Sequence, residues 1–293
     1  MFNHEDNLEY IPCCICCKDA PVKMFVEKGF TLNRCNHCGH FYVSPRPSIG
    51  IVPELTAEDE PPVEIHSLDE VRRKPHFRRY VETVKQYVPG GKWCDIGCGC
   101  GTLLQVAAEA GFDVEGIEKN PERLAYCRSM GLTVLNNDIE SNFLPGSFYD
   151  VISLINVFSH LRSPVATFSR IQRLLKNNGV ILVATSELGK TVYKDEVGNW
   201  HIPDHLHFAG PNTFKVIASK FGFRLYYIDR SITQRVVLSE KLLYESDRPS
   251  IAMIKSMLRY IPGLVDITAA ATCLSKGFLY PRHEVVLILR RSS

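Results

Sequence analysis

The stretch WCDIGCGCGTLL, from Trp93 to Leu104, admits two readings. Its glycines at alternate positions, Gly97, Gly99 and Gly101, suit a loop that lets a ligand approach the backbone, because no Cβ stands in the way. Its cysteines, Cys94, Cys98 and Cys100, suit metal ligation instead. The spacing excludes one ligand class: a dinucleotide fingerprint needs G-x-G-x-x-G, and here the third glycine comes one place early, with Thr102 in its position.

The surrounding chain decides in favour of the loop. Short apolar runs, KWCDI, DVEGIE, LTVLN, YDVISLI and GVILVAT, read as strands. Between several of them lie the helical patterns TLLQVAAEA, PERLAYCRSM and PVATFSRIQRLL, with Pro121 and Pro164 where a first helical turn tolerates proline. This alternation predicts an α/β domain with a doubly wound parallel sheet covered by helices on both faces. In such sheets ligands sit beyond the carboxyl ends of the strands, where the glycine loop falls. Before it, Phe77, Tyr80, Val81, Val84 and Val88 space out a helix that stops at PGG. After it come a helix PNTFKVIASKFG, a strand FRLYYI and a final strand EVVLILR.

Two acids give the loop a partner. Glu118 ends the second strand, where a carboxylate can accept from both ribose hydroxyls, and Asp138 follows the third, where it can accept from an adenine amino group. DIGCGCG together with Glu118 and Asp138 resembles the class I S-adenosylmethionine-dependent methyltransferases, over about Phe77 to Arg290. The resemblance implies a Rossmann-like seven-stranded sheet and S-adenosylmethionine as cofactor. It implies that Asp95 and the loop of Gly97, Cys98, Gly99 and Gly101 hold the methionine end. Glu118 would hold the ribose, Asp138 and Ile139 the adenine, and Asn156 would line the sulfonium pocket. Cys94 and Cys98 are then explained by packing, and metal binding by Cys98 and Cys100 would compete with the cofactor for one loop.

A second constellation lies in residues 1–50, which carry six of the eleven cysteines. Cys13 and Cys16, then eighteen residues, then Cys35 and Cys38, supply four thiolates from two turns, the donor set of a tetrahedral zinc. Cys14 and Cys17 offer another register for the first pair, and His37 and His40 are weaker candidates. Four protein ligands predict a structural Zn2+ holding together a small zinc-ribbon module. The acidic, Pro-rich residues 51–70 read as a linker, leaving 71–293 as the methyltransferase-like domain. A zinc ribbon, FYVSPRP and then this domain resembles a bacterial group associated with surface-glycan, modified-sugar and secondary-metabolite assembly. Sugar C-methyltransferases of that layout carry a larger C-terminal domain, which is not seen here.

Composition narrows the partners. The net charge of +2 gives no general pull toward nucleic acid, and the basic run VRRKPHFRRY reads first as a solvated helix face, with docking of an acidic group as its alternative. Clustered cysteines without an export-type leader, and no apolar run of membrane-spanning length, predict a cytoplasmic protein. Two apolar helical stretches within about residues 240–280 read as an insert, first a cover for the core, with a homodimer face or a membrane-surface element as alternatives.

Methyl transfer to a hydroxyl or amine needs alignment and removal of a proton. Histidine suits the second task. His160, in NVFSHLRSP, matches the histidine of the resembled family's EHL-x-D-P segment, with Ser159 and Ser163 in place of its acids. GNWHIPDHLHFAGPNTF offers His201, Asp204, His205 and His207 in one loop, and Trp200 and Tyr193 as rings that could stack on an acceptor. His160, His205 and His207 are therefore the candidate bases. The expected acceptor is a small molecule, foremost a sugar, glycan-linked or secondary-metabolite hydroxyl; RNA methylation and a non-catalytic scaffold docking through the ribbon are the alternatives.

Overall fold

The computed structural model describes residues 7–48, 73–137, 146–188, 201–229 and 282–291. The expected linker, the 240–280 insert, Asp138, Ile139, Tyr193 and Trp200 lie outside them.

Seven strands form the main sheet: β6 (Gly91–Ile96), β7 (Phe112–Ile117), β8 (Val134–Leu135), β9 (Tyr149–Ile155), β10 (Leu175–Leu188), β12 (Phe223–Asp229) and β13 (Arg282–Arg291). Their order is β12-β13-β10-β9-β6-β7-β8. All neighbours are parallel except at β13, which runs antiparallel to both β10 and β12. The chain leaves β6 outward through β7 and β8, then returns to the other side of β6 as β9. Strand order reverses there, between β9 and β7 across β6, and in sheets of this kind the ligand crevice lies beyond the carboxyl ends of the strands at such a point.

Side-chain alternation covers both faces. Val180, Leu182 and Ala184 of β10 join a core with Trp93 and the helix α1 (Lys74–Lys85), while Ile181 and Val183 join one with α4 (Pro164–Leu174) and α5 (Pro211–Phe221). Helix α2 (Thr102–Glu109) packs with α1, and α3 (Pro121–Ser129) returns the chain toward β8. Proline occupies the first turn of α3 and α4 as predicted, and Asn120 caps α3 by accepting from the backbone N–H of Glu122 and Arg123.

Two elements differ from their sequence patterns. β10 is longer than GVILVAT because β13 lies antiparallel along Val180 to Leu188 and satisfies its backbone. LTVLN contracts to Val134–Leu135, which among the described residues pairs with β7 alone.

The N-terminal residues contain β1 (Leu8–Glu9), β2 (Pro21–Glu27), β3 (Phe30–Cys35), β4 (Phe41–Val43) and β5 (Arg46–Pro47). The sheet formed by β2, β3 and β4 does not stop at the boundary expected near residue 50. Its fourth strand is β11 (His207–Phe208), paired antiparallel with β4 through His207 with Tyr42 and Phe208 with Phe41. Glu9 reinforces the junction: its carboxylate accepts from Arg46 Nε at 2.6 Å and from Arg162. Arg46 donates to the Arg162 carbonyl at 2.7 Å, and Arg162 returns a bond to the Pro47 carbonyl at 2.9 Å. Among the described residues, no helix is long and apolar enough to cross a membrane.

Candidate active site and metal centres

The glycine loop forms at the strand-order reversal. Gly97, Gly99 and Gly101 have φ of 66°, 57° and 78°. At Gly97 the need for glycine is twofold, since a Cβ there would stand 2.6 Å from Val157 Cγ2. Left-handed backbone costs a side-chain-bearing residue roughly 1–2 kcal/mol before that clash is counted. Gly97→Ala is therefore expected to lower the denaturant midpoint and weaken cofactor binding together; a variant of unchanged stability would mean the loop rearranges freely.

Glu118 braces the loop. Its carboxylate is buried, accepts from Gly99 N–H at 2.9 Å, and accepts from Lys119 and Asn120 N–H at 2.8 Å each. A carboxylate offers about four acceptor positions, so these bonds fix its orientation and leave room for a ribose hydroxyl. Asp95 is buried at the end of β6 and accepts from Ser153 Oγ at 2.6 Å, which itself accepts from Trp93 Nε1 at 2.7 Å.

Asn156 follows β9 on the same edge, with φ of 59°. In the amide orientation that satisfies both groups, its oxygen accepts from Arg73 Nη1 and Nη2 at 3.2 and 3.1 Å. Arg73 belongs to the run read as a solvated helix face; the fold instead brings it to the crevice. Its only sequence signal was the basic run itself.

Cys98 offers the crevice only its backbone. Its side chain packs on Gly116 and in a cluster with Leu104, Leu124 and Cys127, and the Cys127 thiol together with burial pushes its own pKa up. Cys94 and Cys98 thus pack within hydrophobic clusters.

Beside the crevice, the 3-10 turn Phe158–His160 carries His160 to the surface. The Leu206 N–H donates to the Ser159 carbonyl at 2.7 Å and holds the 201–206 loop against this turn. His160 Nδ1 lies 3.2 Å from Asp204 Oδ1, and the His205 ring stands edge-on at 4.7 Å. Burial works to raise Asp204, but the His160 hydrogen bond and the charges of His160, His205 and His201 outweigh it, so the carboxyl sits below its ordinary value.

His207 does not join this cluster, a correction to its grouping with His160 and His205 as a candidate base. It is fully buried, its Nε2 donates to the Leu161 carbonyl at 2.8 Å, and burial pushes its pKa down to about 3. The alternation of strand β11 turns it away from the loop surface.

Cys13, Cys16, Cys35 and Cys38 converge, every Sγ within 4.8 Å of the others, with Cys13 to Cys38 at 3.5 Å and Cys16 to Cys35 at 3.6 Å. Zinc bonded to sulfur at about 2.3 Å requires sulfur edges of about 3.8 Å, so this donor set could hold it. The Cys38 thiol holds Cys13 down to about 5, which prepares a thiolate. Cys17 is exposed and Cys14 lies with His40 and His207, so the thiols that cluster with Cys35 and Cys38 are those of Cys13 and Cys16.

The profile of the methyltransferase domain matches residues 71–228. A ubiquinone biosynthesis O-methyltransferase of Methylococcus capsulatus is 34% identical over 104 residues, covering 33% of this chain and 44% of the relative. One from Xanthomonas campestris pv. campestris is 28% identical over 138 residues, covering 43% and 54%. The chain thus spans about half the length of these curated relatives. Phosphoethanolamine N-methyltransferase 2 of Haemonchus contortus, solved with S-adenosyl-L-methionine, shares the fold with a TM-score of 0.60 at 17% identity, covering 92% of this chain and 71% of that one.

Proposed function

The chain belongs to the methyltransferase-domain family, and from that premise we propose that it is an S-adenosylmethionine-dependent methyltransferase that methylates a hydroxyl of a small molecule, with His160 as the base. The observation that carries this reading is the surface-facing His160 backed by Asp204 beside the cofactor crevice. Relatives named O-methyltransferases support an oxygen acceptor. A sugar, glycan-linked or secondary-metabolite hydroxyl is the acceptor class proposed first.

Asp95, the backbone from Gly97 to Gly101, Glu118 and Asn156 would hold the cofactor, with Asp138 and Ile139 assigned to its adenine. The left-handed loop and the oriented Glu118 carboxylate fit that group. When bound, it supplies an electrophilic methyl on a sulfonium. The protein aligns the acceptor for in-line attack and removes its proton. With Nδ1–H donated to Asp204, His160 presents Nε2 as the accepting atom, and the carboxylate stabilises the imidazolium that forms. Cys13, Cys16, Cys35 and Cys38 would hold a structural zinc.

The test couples calorimetric titration with S-adenosylmethionine to a methyl-uptake screen across sugars, nucleotide sugars and hydroxylated rings. Methyl incorporation with equal release of S-adenosylhomocysteine is expected for a hydroxylated acceptor. Cofactor binding without turnover across the panel would favour a scaffold. Salt-sensitive RNA binding with methyl uptake into RNA would move the acceptor to that class.

A further inference from the structure

Three donors that the assigned sites leave over meet in one place. Cys14 is the second cysteine of CCICC, His40 closes CNHCGH, and His207 lies in DHLHF. Cys14 Sγ is 3.7 Å from His40 Nε2 and 3.6 Å from His207 Nδ1, and the two nitrogens are 3.3 Å apart.

These distances resemble the edges of a coordination polyhedron more than hydrogen bonds. With metal–nitrogen bonds of about 2.0–2.1 Å and a metal–sulfur bond of about 2.3 Å, tetrahedral geometry places nitrogens about 3.3 Å apart and sulfur about 3.6 Å from each nitrogen. A direct N–H···N hydrogen bond would draw the imidazoles closer, toward about 3.0 Å.

The far side of each ring agrees. His207 Nε2 faces the Leu161 carbonyl at 2.8 Å; a carbonyl only accepts, so that nitrogen carries the proton and a neutral ring leaves Nδ1 bare. His40 Nδ1 faces Thr213 Oγ1 at 3.3 Å, and the tautomer that donates to that hydroxyl has Nε2 bare. Metal-bound histidines anchor their other nitrogen to a carbonyl or similar acceptor in this way. Both rings are fully buried, and with both of these nitrogens bare the one Cys14 thiol proton could serve only one of them.

We propose that Cys14, His40 and His207 form a second metal site, of zinc-like divalent chemistry, distinct from the four-cysteine cluster. Two imidazoles and one thiolate suit a borderline metal, and a water completes the coordination. Cys14 and His40 come from the N-terminal module, His207 from the strand that completes its sheet, so the ion fastens the module to the methyltransferase domain. It does so beneath the turn and loop that carry His160 and Asp204.

The test is the zinc content of the full-length chain after zinc loading and desalting, read by plasma mass spectrometry. About two zinc ions per chain are expected, falling to about one in Cys14→Ser and in His207→Ala. Cobalt loading adds a second readout: Cys14→Ser should lose one part of the thiolate-to-cobalt absorption and keep the intense bands of the four-cysteine site. One zinc per wild-type chain, or an undiminished count in Cys14→Ser, overturns the proposal and leaves the three side chains hydrogen-bonded. Should Cys14→Ser fold poorly by circular dichroism, the wild-type count still decides. The outcome is independent of methyl acceptor and of turnover.

Discussion

Glu118→Ala is expected to lower S-adenosylmethionine affinity by about 100-fold or more and to destabilise the fold at the same time. The carboxylate accepts three backbone N–H groups from two loops, Gly99 on one side and Lys119 and Asn120 on the other. Removing it leaves the buried Gly99 donor and two partly buried ones without their acceptor, and hydrogen bonds to a charged group are each worth roughly 1.5–3 kcal/mol. The ribose loses its acceptor in the same step. Calorimetric titration and chemical denaturation separate the contributions, and Glu118→Gln helps further: it keeps the volume, but only one of its amide atoms can accept. Gln is therefore expected to recover part of the stability and little of the affinity. Affinity within a few-fold of the parent in Glu118→Ala would reduce Glu118 to a brace for the glycine loop.

What the sequence made legible follows from the range of each interaction. YDVISLI is strand β9 from Tyr149 to Ile155, because a buried parallel strand is a near-continuous apolar run, here broken only by Asp150 and Ser153. Pro121 and Pro164 mark helix starts through a purely local constraint. The four-cysteine cluster and the glycine loop are likewise local, set by spacings of a few residues. His207 shows the other side. DHLHF displays three polar residues in one loop, and nothing nearby says that two of its residues pair with Tyr42 and Phe41, far back in the chain. That pairing sends Leu206 and Phe208 into one core and His207 toward Cys14 and His40. Arg73 is a similar case: its charge suggested solvent, and only the strand order of the sheet sets it beside Asn156.

The contact between His160 and Asp204 also spans 44 residues, and it supports the second large prediction. His160→Ala should lower kcat by about 10² to 10⁴, the range that a positioned general base contributes, with S-adenosylmethionine affinity unchanged. The reaction uses the neutral imidazole, so the parent should lose kcat as pH falls, and that acid limb should vanish in the variant. Asp204→Asn should keep the limb and lower kcat less, because it removes the group that orients Nδ1 and stabilises the imidazolium without removing the base. A structural role would instead move stability and cofactor affinity with no change in the shape of the pH profile. His205, ring to ring with His160 at 4.7 Å, is the internal comparison. Its alanine variant should change KM for the acceptor more than kcat if it shapes the mouth of the site. Retention of parental kcat and its pH dependence in His160→Ala would remove the base from the mechanism. The proton of a hydroxyl acceptor would then have to pass to another group, of which His205 is the adjacent candidate.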